Sequence, residues 1–193
     1  MGIRSLSAAS ISTGAKRSKF WDQSATPVIP NSYNSIASTT LSSNANTIDL
    51  TSIPGTYKHL QIRGIFNSTA VQNGTPRFTF NGDSNTNYSI HTIRNSTIDN
   101  YNGLGSAYMS LDVQQPGFFT CFVLDIFDYT DTNKFKTFQF RQAVANYTDS
   151  VFYNIFGTGH YRSLSAITSF SLIDQQVSDL TTLSTIALYG IEV

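Results

Sequence analysis

Glutamate is all but missing from this chain: Glu192 is the only one in 193 residues. Charge of either sign is scarce, since Asp, Glu, Lys and Arg together reach 12%, about half the share of an ordinary soluble domain. With so few strong helix formers, a helical bundle is excluded. There is one cysteine, Cys121, so no intrachain disulfide framework exists. It lies in the apolar run Phe118-Phe119-Thr120-Cys121-Phe122-Val123-Leu124, where a small hydrophobic thiol is expected to be buried and inert. No apolar run approaches the ~20 residues of a membrane helix, so no membrane partner is expected. Arg4 is followed by Ser and Ala instead of an apolar stretch, so the opening residues are not expected to direct secretion.

The three histidines, His59, His91 and His160, are far apart, and none stands at metal-ligand spacing from another. Gly-x-Ser-x-Gly, His-Glu-x-x-His and the phosphate-binding glycine loops are absent. Two groups of carboxylates remain. Asp125, Asp128 and Asp131, with Asn133, cluster in "DIFDYTDTNK", oxygen ligands at short intervals that could hold calcium. The run lacks the glycine and terminal glutamate of a calcium loop, and a strand end passing into a polar turn accounts for it more simply. Asp83 in "FNGDSNTNYS" could serve glycoside hydrolysis only with a second acid, and an Asn-Gly-Asp turn explains it. No cofactor, no metal and no enzymatic activity are expected.

What the chain has in abundance is aromatic and hydroxyl side chains, with 14 Phe and 10 Tyr. These suit pleated, half-buried surfaces. Strand-like runs span 35–42, 46–51, 57–66, 77–81, 87–94, 106–112, 118–128, 135–143, 151–160, 166–174 and 182–192, with turn residues between most of them. Leu60, Ile62 and Phe66 share a parity, as do Phe78 with Phe80 and Phe138 with Phe140, which predicts antiparallel strands with one wet face. The 118–128 run is apolar at both parities and predicts a central strand covered on both sides. The expected fold is all-β: an antiparallel, jelly-roll-like sandwich of eight to ten strands over 34–193, carrying an extended N-terminal arm.

Residues 1–33 form that arm. It is poor in large apolar groups, and Pro27 and Pro30 favour an extended path. Arg4, Lys16, Arg17 and Lys19 meet no acid before Asp22, so 1–21 carries +4, while the other eight basic residues face all 12 acidic ones. A basic tail on a mildly acidic body suits docking on an acidic protein surface. Nucleic acid is not an expected partner, because phosphate binding also calls for a basic face on the body. Ile3, Arg4, Leu6, Lys16, Arg17, Lys19, Phe20 and Trp21 are the candidate partner-docking residues.

The blocks "MGIRSL" (1–6), "TSIPGTYKHLQIRG" (51–64), "RFTFNGDSNTNYSIH" (77–91), "LDIFDYTDTNKFKT" (124–137), "RSLSAITSFSL" (162–172) and "STIALYGI" (184–191) run through most of the chain. In them it resembles a family of small virion structural proteins of tailed bacteriophages. That resemblance implies a capsid decoration or cement protein, or a short head or tail fibre, made in the host bacterial cytoplasm. Its partners would be other virion proteins, bound through the arm, and it implies a homo-oligomer, with a trimer as the leading arrangement. The alternative expectation is a carbohydrate- or receptor-binding module of a phage tail. It would contact host surface glycans through Tyr88, Asn100, Tyr101 and Tyr147.

Overall fold

The computed structural model describes residues 33–69, 76–95, 97–109, 118–145, 152–174 and 178–192. The eight docking residues of the arm, Ile3, Arg4, Leu6, Lys16, Arg17, Lys19, Phe20 and Trp21, lie outside them, as does Tyr147. Among the described residues the chain is all-β. Its strands are β1 (Tyr33–Thr40), β2 (Thr47–Leu50), β3 (His59–Phe66), β4 (Pro76–Phe80), β5 (Tyr88–Arg94), β6 (Thr97–Leu104), β7 (Ala107–Tyr108), β8 (Thr120–Phe127), β9 (Lys136–Ala145), β10 (Phe152–Tyr161), β11 (Phe170–Asp174) and β12 (Thr185–Ile191).

These strands form two antiparallel sheets. One has eight strands in the order β1-β12-β3-β8-β9-β10-β5-β6, and the other has four in the order β2-β11-β4-β7. Setting aside the hairpins β5–β6 and β9–β10 leaves β1-β12-β3-β8 opposite β2-β11-β4-β7. That is the four-on-four double Greek key of a jelly roll. Both inserted hairpins join the large sheet beyond β8, so one sheet is twice as wide as its partner.

The expected parities face inward. Leu60, Ile62, Phe66, Phe78, Phe80, Phe138 and Phe140 are at most 1% exposed. Rings from both sheets interlock in the middle, with Phe78 at 5.2 Å and Phe80 at 5.9 Å from Phe138, and Phe78 at 5.7 Å from Phe170. Such edge and offset arrangements add to plain area burial. Tyr88 lies in this core, stacked on Tyr161 at 4.9 Å, and its hydroxyl accepts the Phe80 N–H at 2.8 Å. Burial pushes its phenol well above the usual tyrosine range. Tyr88 is fully buried and therefore is not the exposed glycan contact expected from sequence.

Glycine lets β9 and β10 sit beneath these rings. Gly157 stands opposite Phe140, and Gly159 opposite Phe138. A Cβ on Gly157 would fall 2.2 Å from the Phe140 ring, and one on Gly159 would fall 2.4 Å from the Phe138 ring. The aromatic rings occupy the space that any other residue would need.

Two local readings are corrected by the topology. The Asn81-Gly82 turn exists, with both residues at positive φ (55° and 62°) and Asp83 N–H donating to Phe80 O at 2.9 Å. That geometry usually closes a hairpin. Here β4 and β5 belong to different sheets, and Asn81 is instead tied to the run before β11. Its Oδ1 accepts the Thr168 N–H at 2.8 Å, and its Nδ2 donates to Ala166 O at 2.8 Å. β6 is the other correction, because 97–104 falls outside the strand-like runs expected from sequence. It is an edge strand in which Asp99 meets Arg94 at 3.9 Å and Tyr101 packs on Tyr108 at 5.7 Å. A rim strand buries little, so its residues carry no apolar alternation.

Candidate functional site

The carboxylates of "DIFDYTDTNK" do not converge. Asp125 lies on the outer face of the large sheet, where its oxygens accept Gln61 Nε2 at 2.6 Å and Gln139 Nε2 at 3.2 Å. Asp128 sits in the β8–β9 loop between Lys134, with which it is in close contact, and Lys58 at 2.8 Å. Hydrogen bonds from those two lysines hold its carboxyl down at about 2. Asp131 turns the loop by accepting the Asn133 N–H at 2.8 Å. Among the described residues no group of three or more His, Cys, Asp or Glu could hold a metal ion.

A cation does sit in this loop, and it belongs to the chain. Lys136 is fully buried, and its Nζ shares its three N–H groups among the carbonyls of Asp131, Lys134 (3.2 Å), Leu164 (3.3 Å) and Ser163 (3.4 Å). Burial pushes its amine below the ordinary lysine range, with Asp131 opposing the shift. The ammonium clasps the β8–β9 loop to the stretch after β10, in the manner of a bound ion. Asp83 is structural in the same sense. Partial burial works against its charge, but hydrogen bonds from Asn87, Asn85 and Tyr161 outweigh it and keep the carboxyl below its usual range.

Among the described residues, the outer face of the eight-stranded sheet is left uncovered. Its in-register rows can be followed from strand to strand. One row runs Tyr189, Gln61, Asp125, Gln139, Thr158, His91 and Asn100 across β12, β3, β8, β9, β10, β5 and β6. It is polar. Arg63 Nε donates to Gln61 Oε1 at 2.6 Å, while its guanidinium lies over the rings of Tyr33 (5.4 Å) and Tyr189 (5.3 Å). Farther along, His91 and His160, 69 positions apart in the chain, share a depression of about 180 Å³ with Ser89, Asn100, Asn102 and Thr158.

Two residues along the strands the chemistry changes. The parallel row is Val123, Arg141, Phe156, Ile93 and Ile98, and the next is Ile65, Cys121, Ala143 and Asn154. Between them lies a groove of about 670 Å³ whose floor includes Cys121, Val123 and Ala143, with Asn95, Arg141, Gln142 and Asn154 as its polar lining. The double parity of 118–128 is explained here, and not as expected. The inward residues Phe122, Leu124 and Ile126 are core, but the outward Cys121 is exposed. Nothing among the described residues covers this side of β8, because the second sheet packs only against the inner face. Cys121 is accordingly an exposed thiol and not the buried one expected.

Of the residues considered for glycan contact, Asn100 is exposed and Tyr101 half-buried. The apolar groove was not foreseen, although the apolar outward parity of β8 was its trace in the sequence. The architecture defines a jelly-roll sandwich with one widened sheet and an open, two-natured outer face. No protein-family model matches the chain, and no curated protein or solved structure does so either.

Proposed function

We propose that the chain is a non-enzymatic structural protein of a bacteriophage particle, a capsid decoration or a short head or tail fibre. The residues before β1, 1–32, attach it, and the jelly roll is the projecting body. The observation that carries this reading is the contrast between a core filled by interlocking rings and a wide outer face left open. Such a face suits contact with other surfaces more than chemistry, and Asp83, Asp125, Asp128 and Lys136 are engaged in holding loops and strands. The basic, Trp21-bearing arm and the resemblance of the sequence blocks to virion proteins support the same reading. Deleting residues 2–23 is expected to leave a folded chain that no longer enters particles, read by circular dichroism and by the protein content of purified virions. Normal incorporation of the truncated chain would remove the arm from the account.

A second reading, a receptor-binding module, is favoured by one feature. The polar half of the face sets His91, His160, Asn100 and Asn102 around a single depression, a density of donors and acceptors that suits sugar hydroxyls. On a glycan array the full chain is then expected to retain host-surface sugars, with binding lost in a His91→Ala/Asn100→Ala double variant. Equal retention by parent and variant would discard this site.

A further inference from the structure

The apolar half of the outer face calls for a partner of its own. Ile65, Ile93, Ile98 and Phe156 are large hydrophobic side chains projecting from strands, and Phe118 and Phe152 continue the patch, their rings 6.1 Å apart. All six are between 39% and 66% exposed. At about 200 Å² for a whole Phe side chain, they leave on the order of 600 Å² of apolar surface open before the groove floor is counted. Interrupted only by Asn154 and Arg141, this surface stands at the upper end of what monomers expose, and patches of that size are often functional.

We propose that this face pairs two copies of the chain, outer sheet against outer sheet. The face carries both halves of the fit. Phe156 and Ile93 stand up as knobs, while Cys121, Val123 and Ala143 leave the groove of about 670 Å³ beside them. A two-fold axis brings the knobs of each copy over the groove of the other, so that one contact is made twice. The open apolar area approaches the ~800 Å² per partner of a standard stable interface. Sheet-on-sheet packing at ~10 Å spacing needs no rearrangement of either sandwich. Two guanidiniums border the patch: Arg141 lines the groove, and Arg63, opposite Val123, lies over the rings of Tyr33 and Tyr189; their long stems let the charged heads stay in water when two faces meet. The pairing is two-fold, in place of the threefold arrangement implied by the resemblance. It leaves the polar half of the face outside the centre of contact. It does not depend on the virion reading.

Sedimentation velocity on the full chain, from about 1 to about 100 µM, covers the affinities such an interface reaches. A monomer–dimer equilibrium is expected. Ala143→Arg on the groove floor and Phe156→Asp on the knob are each expected to weaken it roughly 100-fold, with far-UV circular dichroism unchanged. His91→Ala is expected to pair like the parent. The inference is overturned by a chain that stays monomeric throughout. It is equally overturned if the groove and knob variants both pair as the parent does, or if removing residues 2–23 abolishes pairing.

Discussion

Gly159→Val is expected to cost about 3 kcal/mol, a fall of roughly 6–12 °C in Tm for a domain of this size. At this position a Cβ would lie 2.4 Å from the Phe138 ring and 2.5 Å from the Ser89 carbonyl oxygen. Neither obstacle can step aside. Phe138 is fully buried and held by Phe78 at 5.2 Å and Phe80 at 5.9 Å, and Ser89 O belongs to the neighbouring β5 strand. A branched side chain therefore forces β10 away from β5, or drives Phe138 into rings already in contact. Interiors packed at crystal-like density convert such a displacement into lost contacts over many atoms. Gly55→Ala is the control, because its Cβ would meet only Thr130 Cγ2 at an ordinary 3.6 Å, and it is expected to stay within about 0.5 kcal/mol of the parent. Thermal unfolding by circular dichroism separates the two. Equal melting of Gly159→Val and parent would mean that the ring-over-glycine packing is wrong.

Lys136→Met is expected to cost about 2 kcal/mol, for the opposite kind of reason. Methionine fills nearly the same volume, so packing is preserved and hydrogen bonding is lost. Four carbonyls, from Asp131, Lys134, Ser163 and Leu164, lose their shared donor together. These contacts are part-buried, so each carbonyl left without its donor costs part of its desolvation penalty, and water takes up the rest. The loss falls on the β8–β9 loop and the 162–169 stretch, so protease cleavage there is expected to accelerate before global melting changes in proportion. Lys136→Arg is not expected to rescue, since a planar guanidinium does not fit a cage arranged around a point charge. A Lys136→Met chain that melts at or above the parent temperature would show that the cage closes over an apolar side chain without loss.

Much of the architecture was written in local text. Alternation in 60–66, 78–80 and 138–140 named the inward face correctly, and the Asn81-Gly82 turn lies where its residues require. The same alternation could not say which sheet a strand joins. β4 and β5 follow each other across a hairpin-type turn yet separate, because β4 finds β11 and β7 while β5 finds β10. Exposure was harder still. An outward apolar residue reads the same whether it faces a covering layer or an open surface, which is why Cys121 was expected to be buried. For Tyr88 the error ran the other way: a tyrosine at a strand start looks like a rim residue, and only the Phe80 N–H that it caps explains its place in the core.

Composition and period two were enough to make this chain an all-β sandwich with a ring-filled interior, because strand formation and side-chain alternation are properties of neighbouring residues. The pairing of β1 with β12 and β2 with β11, and the widening of one sheet by two inserted hairpins, were decided by long-range contacts. So was the open apolar groove, since local sequence carries no record of which face of β8 the second sheet covers.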